Sequence, residues 1–291
     1  MSWRLFIGSL LLACAAGAQA QRIELRDDAG QLVKLAQPAR RVVSLAPHLT
    51  ELAFAAGGGD RVVGVMRYSD YPAQARALPV IGDAYALNFE AIAQLKPDLL
   101  LVWGSGLADR HKARLRVLGV PIYEAEIRDI DGIAQTLRRF GRLLGQAARA
   151  DAQADALSAE WRTLEAAYAK RTPVRVFYQL WHEPLMTVNG QHGISQAMAA
   201  CGGVNAFASL APLTPVVSWE AAVQSNPQLV MTSSSPDEDA QLAGWQRFAS
   251  QVEAVRMNRF AVLDGNLLGR MGPRFVQGAR AMCEAIDRVR P

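Results

Sequence analysis

The sequence has little of what marks the common classes of catalyst and cofactor protein. Its 291 residues include three cysteines and four histidines, with no Cys-x-x-Cys or His-Glu-x-x-His motif, so the usual thiol-redox and zinc signatures are missing. The Gly-x-Ser-x-Gly elbow is absent too, and Gly57-Gly58-Gly59 follows a predicted helix, where it cannot cradle a phosphate. We therefore predict no catalysis and no resident cofactor. The alternative, a secreted α/β hydrolase, would need a nucleophile beside a histidine at a strand-to-helix elbow.

A large excess of charge is also missing. The chain carries 31 basic and 27 acidic residues, and the basic residues are scattered rather than interleaved with aromatics in a stripe, which argues against nucleic acid as a partner. About half of the composition is apolar and a fifth is charged, as in ordinary globular proteins. The length is sufficient for two modest lobes.

The N-terminus has the order of a secretion signal. Arg4 precedes an apolar run over residues 5–13, and Ala18-Gln19-Ala20 forms a small-x-small cleavage site, which predicts a signal peptide over residues 1–20 and Gln21 as the first mature residue. The alternative is a lipoprotein anchored through Cys14, which ends a tolerable lipobox. Either route predicts a periplasmic protein, since no later segment approaches the roughly 20 apolar residues of a membrane span.

Cleavage of the signal would leave two cysteines, Cys201 and Cys283. An even pair in an oxidising compartment predicts a disulfide bond between them. Two separately buried thiols remain the alternative, because sequence spacing alone cannot place the two Cα atoms within bonding distance.

Most of the chain alternates between apolar strand-like segments and helical ones. Strands apolar on both faces indicate a parallel sheet covered by helices. Residues 130–172 are instead rich in helix formers, with breaks expected only at Gly141 and Gly145. We predict an N-terminal α/β lobe over 21–129, a bridging helical segment over 130–172 and a C-terminal α/β lobe over 173–291. The predicted elements are strands at 41–45, 62–65, 99–103 and 121–123, helices at 50–56 behind a Thr50 N-cap, 88–94 and 109–118, further alternating elements at 174–179, 194–200, 219–224, 229–232, 245–251 and 261–263, and a final helix over 274–289.

A faint internal repeat supports two related lobes. Asn88-Phe89-Glu90 and Ser218-Trp219-Glu220 are each followed by a proline at the same interval, and the segment 55–59 is echoed by 199–203. Convergent helix-capping chemistry is the alternative explanation. A pair of similar lobes places its ligand between them, where the carboxyl ends of both sheets face each other.

Several side chains that suit such a cleft follow predicted strands. Aromatic rings bury large planar ligands with little loss of entropy, although Trp103 and Trp181 could equally be core residues. The histidines His48 and His182 are weak candidates for a metal or haem contact, with backbone-satisfied loop residues as the alternative. The aromatic candidates are Tyr68, Tyr71, Tyr85, Trp103 and Trp181.

Two glutamates occupy matching places in the repeat. Glu90 and Glu220 each lie in a predicted first helical turn, where the helix dipole favours a carboxylate by about 0.3–1 kcal/mol. The dipole explains each acid separately. It does not explain why both lobes carry one at the same place, whereas a two-point contact with a symmetric partner does.

Five segments together resemble the cobalamin-binding members of the helical-backbone (Fe/B12) periplasmic-binding family. The similarity extends over residues 41–289. It implies the class III periplasmic-binding-protein fold, in which two Rossmann-like lobes are bridged by a long rigid helix, and a monomer that delivers cobalamin, haem or a ferric siderophore to an ABC importer. The segments are Leu45-Ala46-Pro47, residues 50–57, Tyr68-Ser69-Asp70-Tyr71-Pro72, Leu95-Lys96-Pro97-Asp98-Leu99 and Cys201-Gly202-Gly203.

The resemblance also implies roles for individual residues. Tyr68 matches a tyrosine that contacts the corrin, and Trp103 matches a cleft tryptophan. Glu90 and Glu220 match the pair that docks onto arginines of a dimeric ABC permease, and Cys201 with Cys283 matches a disulfide in the second lobe.

The sequence departs from the cobalamin-binding pattern where further cleft aromatics would stand. It has Ala84 or Tyr85, Met186, Thr214 and the segment 266–268 at those places, while Arg270 is retained. The ligand is therefore expected to be cobalamin, an incomplete corrinoid or another tetrapyrrole, with a haem- or ferric-siderophore-binding protein as the alternative. The predicted ligand contacts are Tyr68, Tyr85, Trp103, Trp181, Met186, Leu268 and Arg270.

Overall fold

The structure is a computed structural model that describes residues 22–234 and 238–291, leaving out the side chains of residues 238–240. The predicted signal peptide, Gln21 and the alternative anchor Cys14 lie outside the described residues. Within them, no helix is long and apolar enough to cross a membrane.

The first lobe is built on a parallel sheet. Its elements are β1 (Ile23–Arg26), β2 (Leu32–Leu35), β3 (Val42–Leu45), α1 (Pro47–Ala55), β4 (Val62–Val65), α2 (Phe89–Gln94), β5 (Leu99–Trp103), α3 (Asp109–Val117) and β6 (Ile122–Ala125). The four parallel strands lie in the order β4-β3-β5-β6, and β1 pairs with β2 as a separate antiparallel hairpin. All of β3 is buried, as expected for a strand covered on both faces.

Two helices follow the first lobe, α4 (Ile130–Leu143) and α5 (Ala147–Tyr168). Helix α4 packs on the first lobe, where Phe140 meets Tyr123 edge to face. Helix α5 has 22 residues, or about 33 Å at 1.5 Å per residue, and its Trp161 ring lies 6.2 Å from Phe275 of the second lobe. The long bridging helix is therefore α5.

Only one of the two predicted helix breaks is present. Gly145 has φ +63° and ends α4, as glycine after a helix commonly does. Gly141 continues the helix instead. A Cβ atom there would lie 2.3 Å from the Cβ of Ala150, so this glycine permits the close approach of α4 and α5. The boundaries predicted for the two lobes stay predictions.

The second lobe repeats the topology of the first. Its elements are β7 (Val174–Gln179), β8 (Trp181–His182), β9 (Leu185–Met186), α6 (Gly193–Ala200), β10 (Gly203–Asn205), α7 (Trp219–Gln224), β11 (Leu229–Ser233), α8 (Glu238–Ala243), α9 (Glu253–Arg256), β12 (Phe260–Leu263), α10 (Gly265–Leu268) and α11 (Phe275–Asp287). The parallel strands lie in the order β10-β7-β11-β12. In both sheets the second strand along the chain therefore lies at the edge beside the first, followed by the third and fourth, which confirms two Rossmann-like lobes.

Two predicted elements differ in the structure. Helix α1 begins at Pro47, because proline is pre-organised for a first helical turn; Thr50 is therefore not the N-cap but a buried helix residue that donates to Ser44 Oγ at 2.9 Å. The element predicted over 245–251 is a 3-10 turn at Gln246–Phe248. Trp245 is fully buried there, and its Nε1 donates to Gln179 Oε1 at 2.7 Å. This buried side chain, rather than a regular helix, holds the segment in place.

The predicted disulfide is confirmed. Cys201 and Cys283 are bonded, with their Cα atoms 4.7 Å apart. The bond ties the end of α6 to α11 in the second lobe.

Candidate binding cleft

The loops at the carboxyl ends of the two sheets meet in a group of four charged residues, Glu51, Asp70, Arg270 and Arg274, which we call the junction cluster. Glu51 belongs to α1, which follows β3, and Asp70 to the loop after β4. The two arginines lie between α10 and α11. First-lobe acids therefore meet second-lobe bases at the base of the cleft, where open α/β folds bind ligands.

Glu51 is the centre of the junction cluster. Its side chain is 1% exposed, and it accepts from Arg270 Nη1 at 3.0 Å. It also accepts from Arg274 through both oxygens, at 2.8 Å from Nε and 2.7 Å from Nη2. Arg270 Nη1 donates as well to Asp70 Oδ1 at 2.7 Å. A buried carboxylate with two guanidinium partners meets the condition under which burial of charge is tolerated.

The electrostatics of the cleft follow from these pairs. Partial burial would raise the pKa of Asp70, but the hydrogen bond from Arg270 and the charges of Arg270 and Arg274 hold it below its usual value. The hydrogen bond to Glu51 raises the pKa of Arg274 despite partial burial. Burial, and then the charge of Arg270, lower the pKa of His48 to about 4. His48 is therefore uncharged at neutral pH.

All five of the predicted aromatic residues present surface. Tyr68 is 72% and Tyr85 85% exposed, and Tyr71, Trp103 and Trp181 are each about two-fifths exposed. Tyr68 has φ +68°, a conformation that non-glycine residues seldom adopt and that turns often require. Trp181 pairs across the β8–β9 hairpin with Met186, so these two side chains are neighbours on one face.

Trp103 is held in place from two sides. Its indole and the His48 ring meet edge to face, with centroids 5.0 Å apart. On the other side, a Cβ added to Gly106 would lie 1.9 Å from indole Cε3, so the glycine lets the ring lie flat on its own loop. These two contacts fix the indole against the protein, and the residue stays partly accessible.

The structure corrects the prediction for Leu268. Its side chain is 1% exposed and packs on α11, where a Cβ added to Gly278 would lie 2.9 Å from Leu268 Cγ. It is a core residue of the second lobe and offers no surface to a ligand.

The two histidine candidates are not brought together. His182 lines a depression of about 860 Å³ with Trp219 and Glu220, and its Nδ1 has no hydrogen-bond partner in the described residues. His48 lies beside the junction cluster instead. In the described part of the chain, no three His, Cys, Asp or Glu residues are grouped as a metal site would require.

Glu90 and Glu220 occupy matching exposed positions in α2 and α7. The caps are as predicted: Asn88 Oδ1 accepts from the Ala91 amide at 2.9 Å and Ser218 Oγ from the Ala221 amide at 3.2 Å. Hydrogen bonds from its own backbone amide and from Ser218, aided by the charge of Arg247, lower the pKa of Glu220.

Each of these glutamates follows an aromatic residue that carries an arginine on its face. Arg114 Cζ lies 3.9 Å from the centroid of the Phe89 ring, and Arg247 Cζ lies 4.7 Å from the Trp219 ring. The two faces thus share a carboxylate, a ring and a guanidinium.

Three residues of the junction cluster were not among the sequence candidates: Glu51, Asp70 and Arg274. A signal for Glu51 was present, since it is the one charged residue of the segment 49–56, and a carboxylate on a buried helix face needs a cationic partner. Asp70 and Arg274 carried no comparable signal.

Comparisons with known proteins agree with this architecture. Residues 42–267 match the family described as periplasmic binding protein. The vitamin B12-binding protein of Vibrio cholerae serotype O1 (strain O395) is 35% identical over 246 residues, which cover 84% of this chain and 88% of that protein. The crystal structure of the periplasmic vitamin B12 binding protein of Vibrio cholerae superposes with a TM-score of 0.79 at 34% identity, covering 87% of this chain and 98% of that one. The periplasmic heme-binding protein RhuT from Roseiflexus sp. RS-1 gives a TM-score of 0.77 at 26% identity, covering 86% and 99%.

Proposed function

The chain belongs to the periplasmic binding protein family, and from this premise we propose that it captures cobalamin or a related corrinoid between its lobes and delivers it to an ABC importer. It binds without chemistry and without a resident cofactor. It acts as a monomer in the periplasm, which it reaches through the N-terminal signal or, alternatively, anchored through Cys14. The similarity to curated vitamin B12-binding proteins supports the choice of ligand.

The observation that carries the proposal is the set of accessible aromatic side chains at the strand ends and in the loops that follow them. Tyr68, Tyr85 and Trp103 come from the first lobe, and Trp181 comes from the second. Groups of exposed apolar side chains, unlike single ones, mark binding sites. A flat macrocycle between the lobes would cover rings from both sides at once, with Met186 as an adaptable apolar neighbour.

Titration with cyanocobalamin tests this proposal, with tryptophan fluorescence as the readout. We expect saturable quenching, because Trp103 and Trp181 would contact the ligand. Trp103→Ala and Trp181→Ala should each weaken binding by about tenfold, the effect of losing roughly 1.4 kcal/mol of contact. Tyr168→Ala at the end of α5 should leave affinity unchanged. No binding at high micromolar ligand would reject cobalamin.

Haem is the second candidate, because a heme-binding protein shares the fold at 26% identity. His48 and His182 are the available imidazoles. The same titration with haem should be followed by the Soret band. A shift that is lost in His48→Ala or His182→Ala would favour haem over a corrinoid.

The permease contact is a separate part of the proposal. Glu90 and Glu220 would dock onto arginines of a dimeric permease, one from each lobe. The double charge reversal Glu90→Arg/Glu220→Arg should abolish stimulation of the transporter ATPase and leave ligand affinity intact. Glu165→Arg, on an exposed face of α5, is the matched control. Loss of ligand affinity in the double variant would instead assign the glutamates to the cleft.

A further inference from the structure

The positive charges of the cleft are already neutralised by the protein itself. Arg270 and Arg274 are matched by Glu51 and Asp70 in the junction cluster: Arg270 contacts both acids and Arg274 contacts Glu51, each within 3.0 Å. The neighbouring imidazole of His48 adds no charge at neutral pH. The formal charge of this group of five side chains is therefore zero.

Two more arginines in the strand-end loops have acidic partners as well. Arg67 Nε lies 3.5 Å from Asp83 Oδ2, and Arg128 Nε lies 3.5 Å from Glu126 Oε1. On the second lobe, the long loop over 206–217 carries no charged residue at all. An anionic ligand would thus enter a cleft whose guanidinium groups are already paired.

Arg270 nevertheless keeps hydrogen-bond donors that the protein does not use. Guanidinium has five N–H donors, and Arg270 bonds to the described residues only through Nη1. Its Nε and Nη2 hydrogens remain for a ligand. A neutral amide oxygen could accept from them without adding charge, whereas an ionised carboxylate would compete with Glu51 and Asp70 and bring an unpaired negative charge into a partly desolvated site.

From this arrangement we infer that Glu51 and Asp70 are specificity-determining residues, which make the cleft select tetrapyrroles with uncharged carboxamide side chains and reject those with ionised carboxylates. The inference rests on the proposed function and narrows its ligand class. Such a cleft would distinguish amidated corrinoids from haem and from corrinoid acids. All three have flat macrocycles, but the side chains at the edge of the macrocycle are uncharged only in the amidated corrinoids.

The test uses two probes that share one macrocycle. Dicyanocobinamide carries amide side chains, and dicyanocobyrinic acid carries the corresponding carboxylic acids. The mature protein should bind the amide at least about tenfold more tightly than the acid at neutral pH, which corresponds to about 1.4 kcal/mol. Raising the salt concentration should change this ratio of affinities only a little, because salt screens partly buried charges less than exposed ones.

Variants connect the preference to the named residues. Asp70→Asn should reduce the ratio of amide to acid affinity by about threefold, in keeping with a half-exposed ion pair. Asp155→Asn is the matched control, because it removes the same charge from a pair with Arg138 on the α4–α5 surface. Glu51→Gln should reduce the ratio further, but it also weakens the fold, so Asp70→Asn decides the assignment.

The outcomes separate this inference from the proposed function. If both corrinoids bind with equal affinity, the inference is overturned and the proposed function stands. A preference for the amide that Asp70→Asn leaves unchanged would overturn the assignment to the junction cluster. If neither corrinoid binds, the proposed function fails and the inference fails with it.

Discussion

The two lobes have the same strand order but different interiors. In both, a left-handed glycine follows a helix at the matching place, Gly57 after α1 and Gly202 after α6, and a polar N-cap precedes the exposed glutamate. These glycines and N-cap residues account for the repeat seen in the sequence. They are set by the backbone geometry at helix ends, which is the same in two lobes of the same topology.

The packing beneath the matched helices has diverged. Under α7, the ring of Trp219 lies 5.3 Å from that of Trp245, which in turn lies 5.1 Å from Phe177. Under α2, Phe89 has only the His111 ring as an aromatic neighbour in the described residues, at 5.9 Å. A core requires volume and apolar character more than particular residues. Helix capping and strand topology are therefore the same in both lobes, while the side chains that fill the core differ.

The largest expected effect comes from breaking the contact between the lobes. Glu51→Ala leaves Arg274 without its carboxylate and Arg270 with Asp70 alone, so the free energy of unfolding should fall by about 3–5 kcal/mol. Denaturant unfolding measures the change. Glu160→Ala removes an exposed pair with Arg280 of the same 2.7 Å length and should cost less than about 1 kcal/mol. Equal losses would mean that the junction cluster contributes no more than a surface pair.

The next effect should be confined to the second lobe. The disulfide closes a separation of 82 residues, and removing such a bond typically costs about 2–4 kcal/mol, chiefly by freeing the unfolded chain. Cys201→Ala/Cys283→Ala should therefore lower the unfolding midpoint of the second lobe. Reducing agent should reproduce the loss in the parent protein and have no further effect on the double variant. If reducing agent leaves the unfolding midpoint of the parent protein unchanged, the disulfide does not stabilise the second lobe.

A third comparison concerns the histidines. The pKa of His48 falls from 6.5 to about 4 on folding, so between these values the unfolded state binds more protons and stability decreases as the pH falls. The decrease should reach up to about 3 kcal/mol at pH 4. His48→Gln should flatten this part of the profile of unfolding free energy against pH, measured by denaturant unfolding at a series of pH values. Parallel profiles for the parent and His48→Gln would show that the imidazole titrates normally.

The smallest effect tests how equal the lobes are. Asn88→Ala and Ser218→Ala each remove one cap from matched helices, so each should destabilise the protein by about 1 kcal/mol. Thermal unfolding of both variants side by side measures the difference. A cost confined to one lobe would show that only one of the two helices depends on its cap.

The parts of the fold that follow local rules could be predicted from the sequence. Strands β3 and β5 are short and mostly apolar on both faces. The N-cap residues Asn88 and Ser218 predict the starts of α2 and α7. The start of α1 was predicted at Thr50 because threonine suits an N-cap. The helix begins three residues earlier, at Pro47, because proline suits the first helical turn.

The site was harder to predict because its contacts are distant in sequence. Glu51 is separated by 219 residues from Arg270, so no local pattern specifies the pair. Leu268 was assigned to the cleft because the segment 266–268 stands where the cobalamin-binding pattern has a further cleft aromatic, and such a match in position does not show which way a side chain faces. Tyr68, Trp103 and Trp181 were found because they end or closely follow a strand, whereas Tyr85 was found in the loop before α2.

The uninterrupted helix α5 has a consequence for transport. Helix α5 is unbroken over 22 residues, so it should hold Glu90 and Glu220, the glutamates proposed to dock, at a nearly constant separation whether or not a ligand is bound. A transporter that measured this separation alone could not distinguish a full carrier from an empty one. A signal that ligand is bound would then have to come from the ligand itself or from the loops around the cleft.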